Sequence, residues 1–181
     1  MEACRGGGEM AGLLADTFLE SLMGERPLSL QELCRECHIA RSTFYYYYPG
    51  LPGLVQALFR RDLVDGFRDM AGAYGLQAAI LYDFSYLRQY RQGIRFLCRH
   101  ADGGIRWDTF RMEMEETVLG LLREEARNRH TLLREDALRF YGTLLTGFLV
   151  DRYQEYLAGG TDDLPEKTAE NLTGLLNAVF A

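Results

Sequence analysis

Apolar residues recur at helical spacing along most of the chain. Between Met10 and Leu22 they fall every three or four positions, the pattern of an amphipathic helix with one buried face. Similar segments follow, separated by glycines, and no convincing alternation typical of strands interrupts them. The pattern therefore predicts an all-α protein of about nine helices. They are expected at roughly 10–24, 29–37, 41–48, 52–72, 76–91, 93–101, 105–129, 134–158 and 165–180.

Residues 29–54 contain two short predicted helices in succession. Ser29 and Glu32 form an S-x-x-E capping box, which satisfies free backbone amides at a helix start. After a tight turn, a second short helix begins near Arg41 and runs into the tyrosines Tyr45–Tyr48. Two short helices joined in this way form a helix-turn-helix, whose second helix can enter the major groove of DNA. The segment therefore predicts a DNA-reading unit.

Over this segment the chain resembles the TetR/AcrR family of bacterial transcription regulators. The resemblance rests on PLSLQELCRECHIARSTFYYYYPGLPGL, with its step Arg41-Ser42-Thr43-Phe44-Tyr45, and on the helical layout that follows. The C-terminal part, including FYGTLLTGFLVDRYQEYLAGG, is similar to the subgroup that contains dihydroxyacetone-kinase regulators. The resemblance implies a transcriptional regulator, a ligand-responsive homodimeric repressor that binds a palindromic double-stranded DNA operator.

The resemblance also implies a domain organisation and a set of DNA contacts. We expect a flexible leader at residues 1–9, a three-helix helix-turn-helix domain at 10–50, and a helical ligand-binding and dimerisation domain at 51–181. The DNA contacts are expected at the start of the second helix and along the third. These residues are Ser29, Arg41, Ser42, Thr43, Tyr45, Tyr46 and Tyr47.

Three positions depart from the family pattern. The glycine expected in the turn is His38, at a position that often requires a positive φ, and the small polar cap expected before Arg41 is Ala40. A lost N-cap hydrogen bond usually costs about 1 kcal/mol. The lysine expected after the third helix, a phosphate contact, is Leu51. An alternative function therefore stays open: a protein of this fold without effective DNA binding that acts as a protein-interaction or ligand-sensing module.

The charge balance also favours the alternative. The chain has a formal net charge of −6, and residues 1–60 hold five arginines and seven acidic residues, a net of −2. Because neutralisation of phosphates supplies most non-specific DNA affinity, an acidic reading unit is expected to bind weakly. Local geometry can offset this if Arg26, Arg35, Arg41 and Arg60 line one side.

The remaining helices suggest a ligand site and a dimer interface. Their aromatic and methionine content is typical either of a core or of an apolar cavity for a small apolar ligand. Candidate pocket residues are Tyr86, Tyr90, Cys98, His100, Trp107, Phe110 and Tyr141. Wide apolar stripes on the last two helices favour a twofold four-helix contact with a second copy. Candidate interface residues are Tyr141, Leu145, Phe148, Leu149, Leu172, Leu176 and Val179.

Enzyme activity, a cofactor and a bound metal are not expected. The chain has no G-x-S-x-G, P-loop or H-E-x-x-H pattern. Cys34 to His38 matches the C-x-x-C-H haem pattern, but the segment also fits the second helix of the motif with Cys34 as a packing residue. No apolar run approaches the roughly 18 residues of a membrane span, and the N-terminus does not resemble a signal peptide. We therefore expect a cytoplasmic protein.

Overall fold

The computed structural model describes residues 3–24, 26–99, 105–161 and 163–180. These residues form nine helices and no strand, which confirms the all-α prediction. None of the described helices is long and apolar enough to cross a membrane. The fourth helix, α4, consists of Leu51–Phe59, a π-helical segment Arg60–Asp65, and Gly66–Tyr74. The others are α1 Ala3–Ser21, α2 Leu30–Glu36, α3 Arg41–Tyr47, α5 Leu76–Gln89, α6 Arg91–Arg99, α7 Trp107–Asn128, α8 Glu135–Ala158 and α9 Leu164–Val179.

The first helix begins earlier than predicted. α1 starts at Ala3, so the described part of the predicted flexible leader, residues 1–9, is helical. The three glycines at 6–8 suggested a leader, since a glycine in a helix costs about 1 kcal/mol relative to alanine. An established helix gains one backbone hydrogen bond with each residue added, so it can extend through unfavourable residues. The amphipathic segment that follows supplies the established helix.

The chain divides into two compact units, which differ from the predicted domains. Unit 1 contains the described residues of Met1–Phe59 and Gln89–Arg106. Unit 2 contains those of Arg60–Arg88 and Trp107–Ala181. Unit 1 thus includes the first part of α4 and the whole of α6, neither of which belongs to the predicted domain at 10–50. The addition of α6 changes the charge of the unit that contains α2 and α3.

Unit 1 is held together by a small apolar core, a side-chain hydrogen bond and a close backbone contact. The hydroxyl of Tyr48 donates a hydrogen bond to the carbonyl of Ala11 at 3.0 Å, which ties the end of α3 to α1. The amide of Gly93 in α6 donates to the carbonyl of Leu22 at 3.2 Å. A Cβ at Gly93 would lie 2.4 Å from that carbonyl oxygen, so this approach requires glycine. Buried core residues include Leu14, Phe18, Leu22, Leu33, Phe44, Leu54, Leu58 and Ile94.

Unit 2 contains an aromatic cluster between α5, α7 and α8. Phe84 packs edge-on against Tyr153 and Tyr156, with ring centroids 5.1 and 5.3 Å apart, and Phe110 lies 6.4 Å from Tyr153. All four side chains are almost fully buried. A carboxyl group, Asp83, is buried beside this cluster and accepts a hydrogen bond from the Tyr153 hydroxyl. The helical pattern of the sequence did not predict this buried acid.

Candidate nucleic-acid interface

The predicted capping box at the start of α2 is confirmed. The Glu32 amide donates to the Ser29 hydroxyl oxygen at 3.3 Å, and the Ser29 amide donates to the Glu32 carboxylate at 2.8 Å. The hydrogen bonds from Ser29, together with the guanidinium of Arg26, lower the pKa of Glu32 to about 2. The Ser29 hydroxyl also donates to this carboxylate at 2.6 Å. A DNA phosphate at Ser29 would have to displace a negatively charged partner, so Ser29 suits its predicted role poorly.

The turn after α2 has the geometry of a Schellman motif, a common end of a helix. The amide of Ile39 donates to the carbonyl of Cys34 at 2.9 Å, and the amide of His38 donates to the carbonyl of Arg35 at 3.2 Å. This motif places His38 in the left-handed region, at φ 53°. The predicted positive φ at this position is confirmed. This backbone conformation is unfavourable for non-glycine residues, and histidine is among those that tolerate it best.

The exposed face of α3 carries four of the predicted DNA contacts. Arg41, Ser42, Tyr45 and Tyr46 are exposed, whereas Phe44 is fully buried. Successive residues of a helix are rotated by about 100°, so the four exposed positions span an arc of about 140°. Thr43 and Tyr47, also predicted contacts, are half-buried and lie about 60° and about 100° beyond the Tyr46 end of this arc. The arc is a continuous polar and aromatic surface that a second helix of a helix-turn-helix can present to DNA.

The four tyrosines have different environments. Tyr48 points towards α1, as its bond to Ala11 shows. Tyr45 packs edge-on against the buried Phe44 at 5.7 Å, and Tyr46 packs edge-on against Tyr47 at 5.0 Å. Tyr46 remains 81% exposed and Tyr45 53% exposed. Both hydroxyls are therefore accessible to a phosphate or a base, on side chains whose rings are held by neighbours.

The start of α3 and the start of α4 lack two expected contacts. Ala40 has the extended backbone of an N-cap residue but makes no side-chain capping hydrogen bond, as predicted. Leu51 is the first residue of α4 and is half-buried, so an apolar side chain occupies the position where the family pattern has a lysine. Arg41 is the first residue of α3 and lies near Cys34. Burial raises the pKa of the Cys34 thiol, and the positive charge of Arg41 opposes this effect only in part.

Unit 1 is not acidic once α6 is included. Residues 1–59 contain four arginines and seven acidic residues, and residues 89–106 contain four arginines and one aspartate, so the two ranges together carry no net charge. The expectation of an acidic reading unit was based on residues 1–60 alone. Sequence order could not reveal that α6 joins this unit, although its arginines at 91, 95 and 99 share one helical face.

Most arginine side chains described in unit 1 are also free of carboxylate partners. Arg26 pairs with Glu32, but Arg35, Arg41, Arg95 and Arg99 form no ion pair with any described residue. Most arginines of unit 2, in contrast, are paired with carboxylates. An unpaired guanidinium keeps its full charge available for a phosphate, since no carboxylate has to be displaced. The positive charge of unit 1 is therefore more available than its net charge indicates.

The fourth arginine expected to support DNA binding, Arg60, belongs to unit 2. Its guanidinium lies 3.9 Å from the carboxylate of Glu113 on α7. It is therefore engaged with an acid outside the helix-turn-helix unit.

The candidate pocket residues do not form one site. Tyr90 and Cys98 lie in unit 1, where Cys98 is exposed, and His100 lies outside the described residues. In unit 2, Phe110 is buried in the aromatic cluster, and Trp107 packs edge-on against it with ring centroids 5.8 Å apart.

The two other candidates, Tyr86 and Tyr141, do not join them in a pocket. Tyr86 is buried in α5, whereas Tyr141 packs against the exposed Phe140 of α8 at 5.6 Å. Unit 2 instead has a cavity of about 180 Å³ among α4, the start of α5, α7, α8 and α9. None of the candidate pocket residues that the structure describes lines it.

The candidate interface residues are only partly available to a second copy. Leu145, Leu149 and Leu172 are buried inside unit 2 and line the cavity. The other four are half-buried, namely Tyr141, Phe148, Leu176 and Val179. The most exposed apolar side chains of the two helices are different ones: Phe140 at 64%, Leu144 at 51% and Leu175 at 44%. The apolar stripes on α8 and α9 are wide, and the leucines at their centre are buried inside unit 2.

Comparisons with known proteins add no family assignment. A scan against protein-family models and a search of curated proteins both found no match to this chain. Within the described ranges, no group of three or more histidine, cysteine, aspartate or glutamate side chains is placed to hold a metal ion. The case for a function therefore rests on the exposed face of α3 and the residues around it.

Proposed function

We propose that this protein is a TetR-like transcriptional regulator that binds double-stranded DNA through α3, most simply as a ligand-responsive repressor. The observation that carries the proposal is the arc of Arg41, Ser42, Tyr45 and Tyr46 on the second helix of a helix-turn-helix. A guanidinium can bond bidentately to guanine, and hydroxyl groups commonly bond phosphates. Unpaired arginines in the same unit supply charge for the backbone contacts.

Recognition of a palindromic operator requires two copies. Two reading helices must lie about 34–36 Å apart to meet successive major grooves. We propose that α8 and α9 form the dimer contact through Phe140, Leu144 and Leu175, since large exposed apolar side chains on neighbouring helices favour association. A ligand that prefers a different spacing of the two α3 helices would shift the population and release the operator.

The proposal is tested by selecting duplexes from a random-sequence pool with the purified protein. Fluorescence polarisation then measures the affinity for the selected duplex and for a scrambled one across a range of salt concentrations. We expect tighter binding of the selected duplex, with an affinity that falls as salt increases. A folded dimer that retains no duplex from the pool would contradict the proposal.

A second candidate function is a protein of this fold that acts through contacts with another protein. Leu51 and Ala40 favour it, because each removes an interaction that would help α3 grip DNA. The aromatic surface of Tyr45 and Tyr46 suits a protein partner as well, since tyrosine is enriched at interfaces. Salt-insensitive retention of the protein by a partner, together with no selected duplex, would favour this candidate over the first.

A further inference from the structure

The cavity in unit 2 has apolar walls on most sides. Phe67 of α4, Leu76 of α5, Leu122 of α7, Leu145 of α8 and Leu172 of α9 all line it. Its volume of about 180 Å³ is close to that of engineered apolar cavities of about 150 Å³, which bind benzene. One aromatic ring with a short side chain is therefore the size of ligand that the cavity can hold.

The polar part of the lining is confined to the C-terminal half of α7. Glu124, Glu125 and Asn128 are the polar side chains of the described lining, and no basic side chain contributes to it. Glu124 and Asn128 are exposed, so this end of the cavity meets solvent. The cavity therefore has an apolar interior and a negatively charged mouth.

The two carboxylates at the mouth differ in availability. Glu125 accepts a hydrogen bond from the guanidinium of Arg129 at 2.5 Å, which offsets part of its charge. Glu124 forms no ion pair with any residue that the structure describes. A cationic group at the mouth would be attracted by the carboxylate of Glu124, whereas an anionic group would be repelled.

We propose that this cavity binds a small aromatic amine, with the ring among the leucines and the ammonium group at Glu124. The inference rests on the ligand-responsive part of the proposed function and names the chemical class of that ligand. Apolar burial supplies most of the affinity, while the carboxylate selects the charge of the ligand. The mouth also shares Leu121 and Glu124 with a neighbouring polar cleft, through which a charged end group can remain hydrated.

Three probes of similar size and different charge test the proposal. Isothermal titration of the full-length protein, without DNA, is carried out with 2-phenylethylamine, 2-phenylethanol and phenylacetate. We expect the amine to bind most tightly and phenylacetate least. Equal or tighter binding of the alcohol or the acid would overturn the assignment of ligand class, and no binding of any probe would overturn the site itself.

Variants of Glu124 separate the contribution of charge from that of the apolar walls. Glu124→Gln is expected to weaken binding of the amine by up to about fivefold, the range of an exposed ion pair, and to leave the alcohol unchanged. Glu116→Gln is the matched control, because Glu116 lies on the same helix and lines only the neighbouring cleft. Equal effects of the two substitutions on the amine would contradict a specific role for Glu124.

A second variant places a larger side chain at the wall of the cavity. A Cβ at Gly72, which lines the cavity on α4, would meet no atom within 4 Å. Gly72→Leu is therefore expected to fold and to weaken binding of both the amine and the alcohol by more than about tenfold. Ala73→Leu, at the exposed neighbouring position, is the control and should leave both affinities unchanged. Unchanged binding in Gly72→Leu would place the ligand elsewhere.

These titrations stand apart from the DNA measurement. Binding of the amine with no selected duplex would leave the ligand class intact and remove the DNA-binding function. A selected duplex with no binding of the amine would leave the DNA-binding function intact and remove the proposed ligand class.

Discussion

Asp83 offers a test of the core of unit 2 through the charge of a single buried carboxyl group. Its side chain is 0% exposed, one carboxyl oxygen accepts a hydrogen bond from the Tyr153 hydroxyl at 2.5 Å, and the other has no hydrogen-bond partner among the described residues. Burial raises the pKa of Asp83 well above its ordinary value, and the hydrogen bond from Tyr153 only partly opposes this. The folded protein therefore keeps this carboxyl protonated at pH values where an exposed aspartate is ionised.

The expected size of the effect follows from proton linkage. The unfolded chain releases the Asp83 proton near a pH of about 3.9, whereas the folded protein keeps it to a higher pH. Between those two pKa values the folded state binds one more proton than the unfolded state. The free energy of unfolding therefore falls by about 1.4 kcal/mol per pH unit. This contribution is complete below the unfolded pKa and is lost as the pH rises through the folded pKa.

Asp83→Asn removes the titration and keeps an oxygen that can accept from Tyr153. Urea unfolding of wild type and variant at several pH values from about 5 upward measures the difference in stability. We expect the free energy of unfolding of the variant, relative to that of wild type, to increase by about 1.4 kcal/mol per pH unit up to the pKa of Asp83 in the folded protein. Asp69→Asn, at an exposed position of α4, is the control and should track the wild type. Parallel profiles of Asp83→Asn and wild type would show that the folded protein does not raise the pKa of Asp83.

Four further substitutions test the backbone geometry and the dimer. His38→Gly removes the strain of the left-handed conformation, which costs a non-glycine residue about 1–2 kcal/mol. The greater flexibility of glycine in the unfolded chain lowers stability by about 0.5–1 kcal/mol. Thermal unfolding should show a net gain of about 0.5–1 kcal/mol. The same gain is expected for His130→Gly, because His130 also has a φ of 53°, and a loss in either variant would contradict this. Gly93→Ala should cost about 1–3 kcal/mol in urea unfolding, because its Cβ collides with Leu22, and wild-type stability would refute the close approach. Leu144→Glu should dissociate the proposed dimer in sedimentation experiments while the monomer stays folded, and an intact dimer would exclude this face.

Features decided by residues close together in sequence could be predicted. The capping box depends on Ser29 and Glu32, three positions apart, and the positive φ of His38 on the end of the same helix. Both depend on local hydrogen bonds, so a sequence pattern carries the necessary information. The number of helices was also predictable, since glycines interrupt the periodic apolar segments.

Features decided by packing between distant segments could not be predicted. The inclusion of α6 in unit 1 depends on the contact between Gly93 and Leu22, which lie far apart in sequence. Leu145 and Leu149 fit a dimer face and a core equally well, because helical periodicity identifies an apolar stripe but not its partner. The cavity is a gap between five helices, which no single segment encodes. Aspartate is almost never fully buried, so no pattern in the sequence distinguished Asp83 from an exposed aspartate.

The proposed function requires that α3 binds duplex DNA and that Arg41 reads a base. The most direct measurement compares wild type, Arg41→Ala and Arg127→Ala for affinity to the selected duplex at one low salt concentration. Arg127 is a suitable control because it is exposed, lies in unit 2 and forms no ion pair within the described residues. We predict that Arg41→Ala loses about 1–3 kcal/mol of binding free energy and discriminates less well against a scrambled duplex, while Arg127→Ala binds like wild type. Equal affinity and equal discrimination in all three folded proteins would contradict the account.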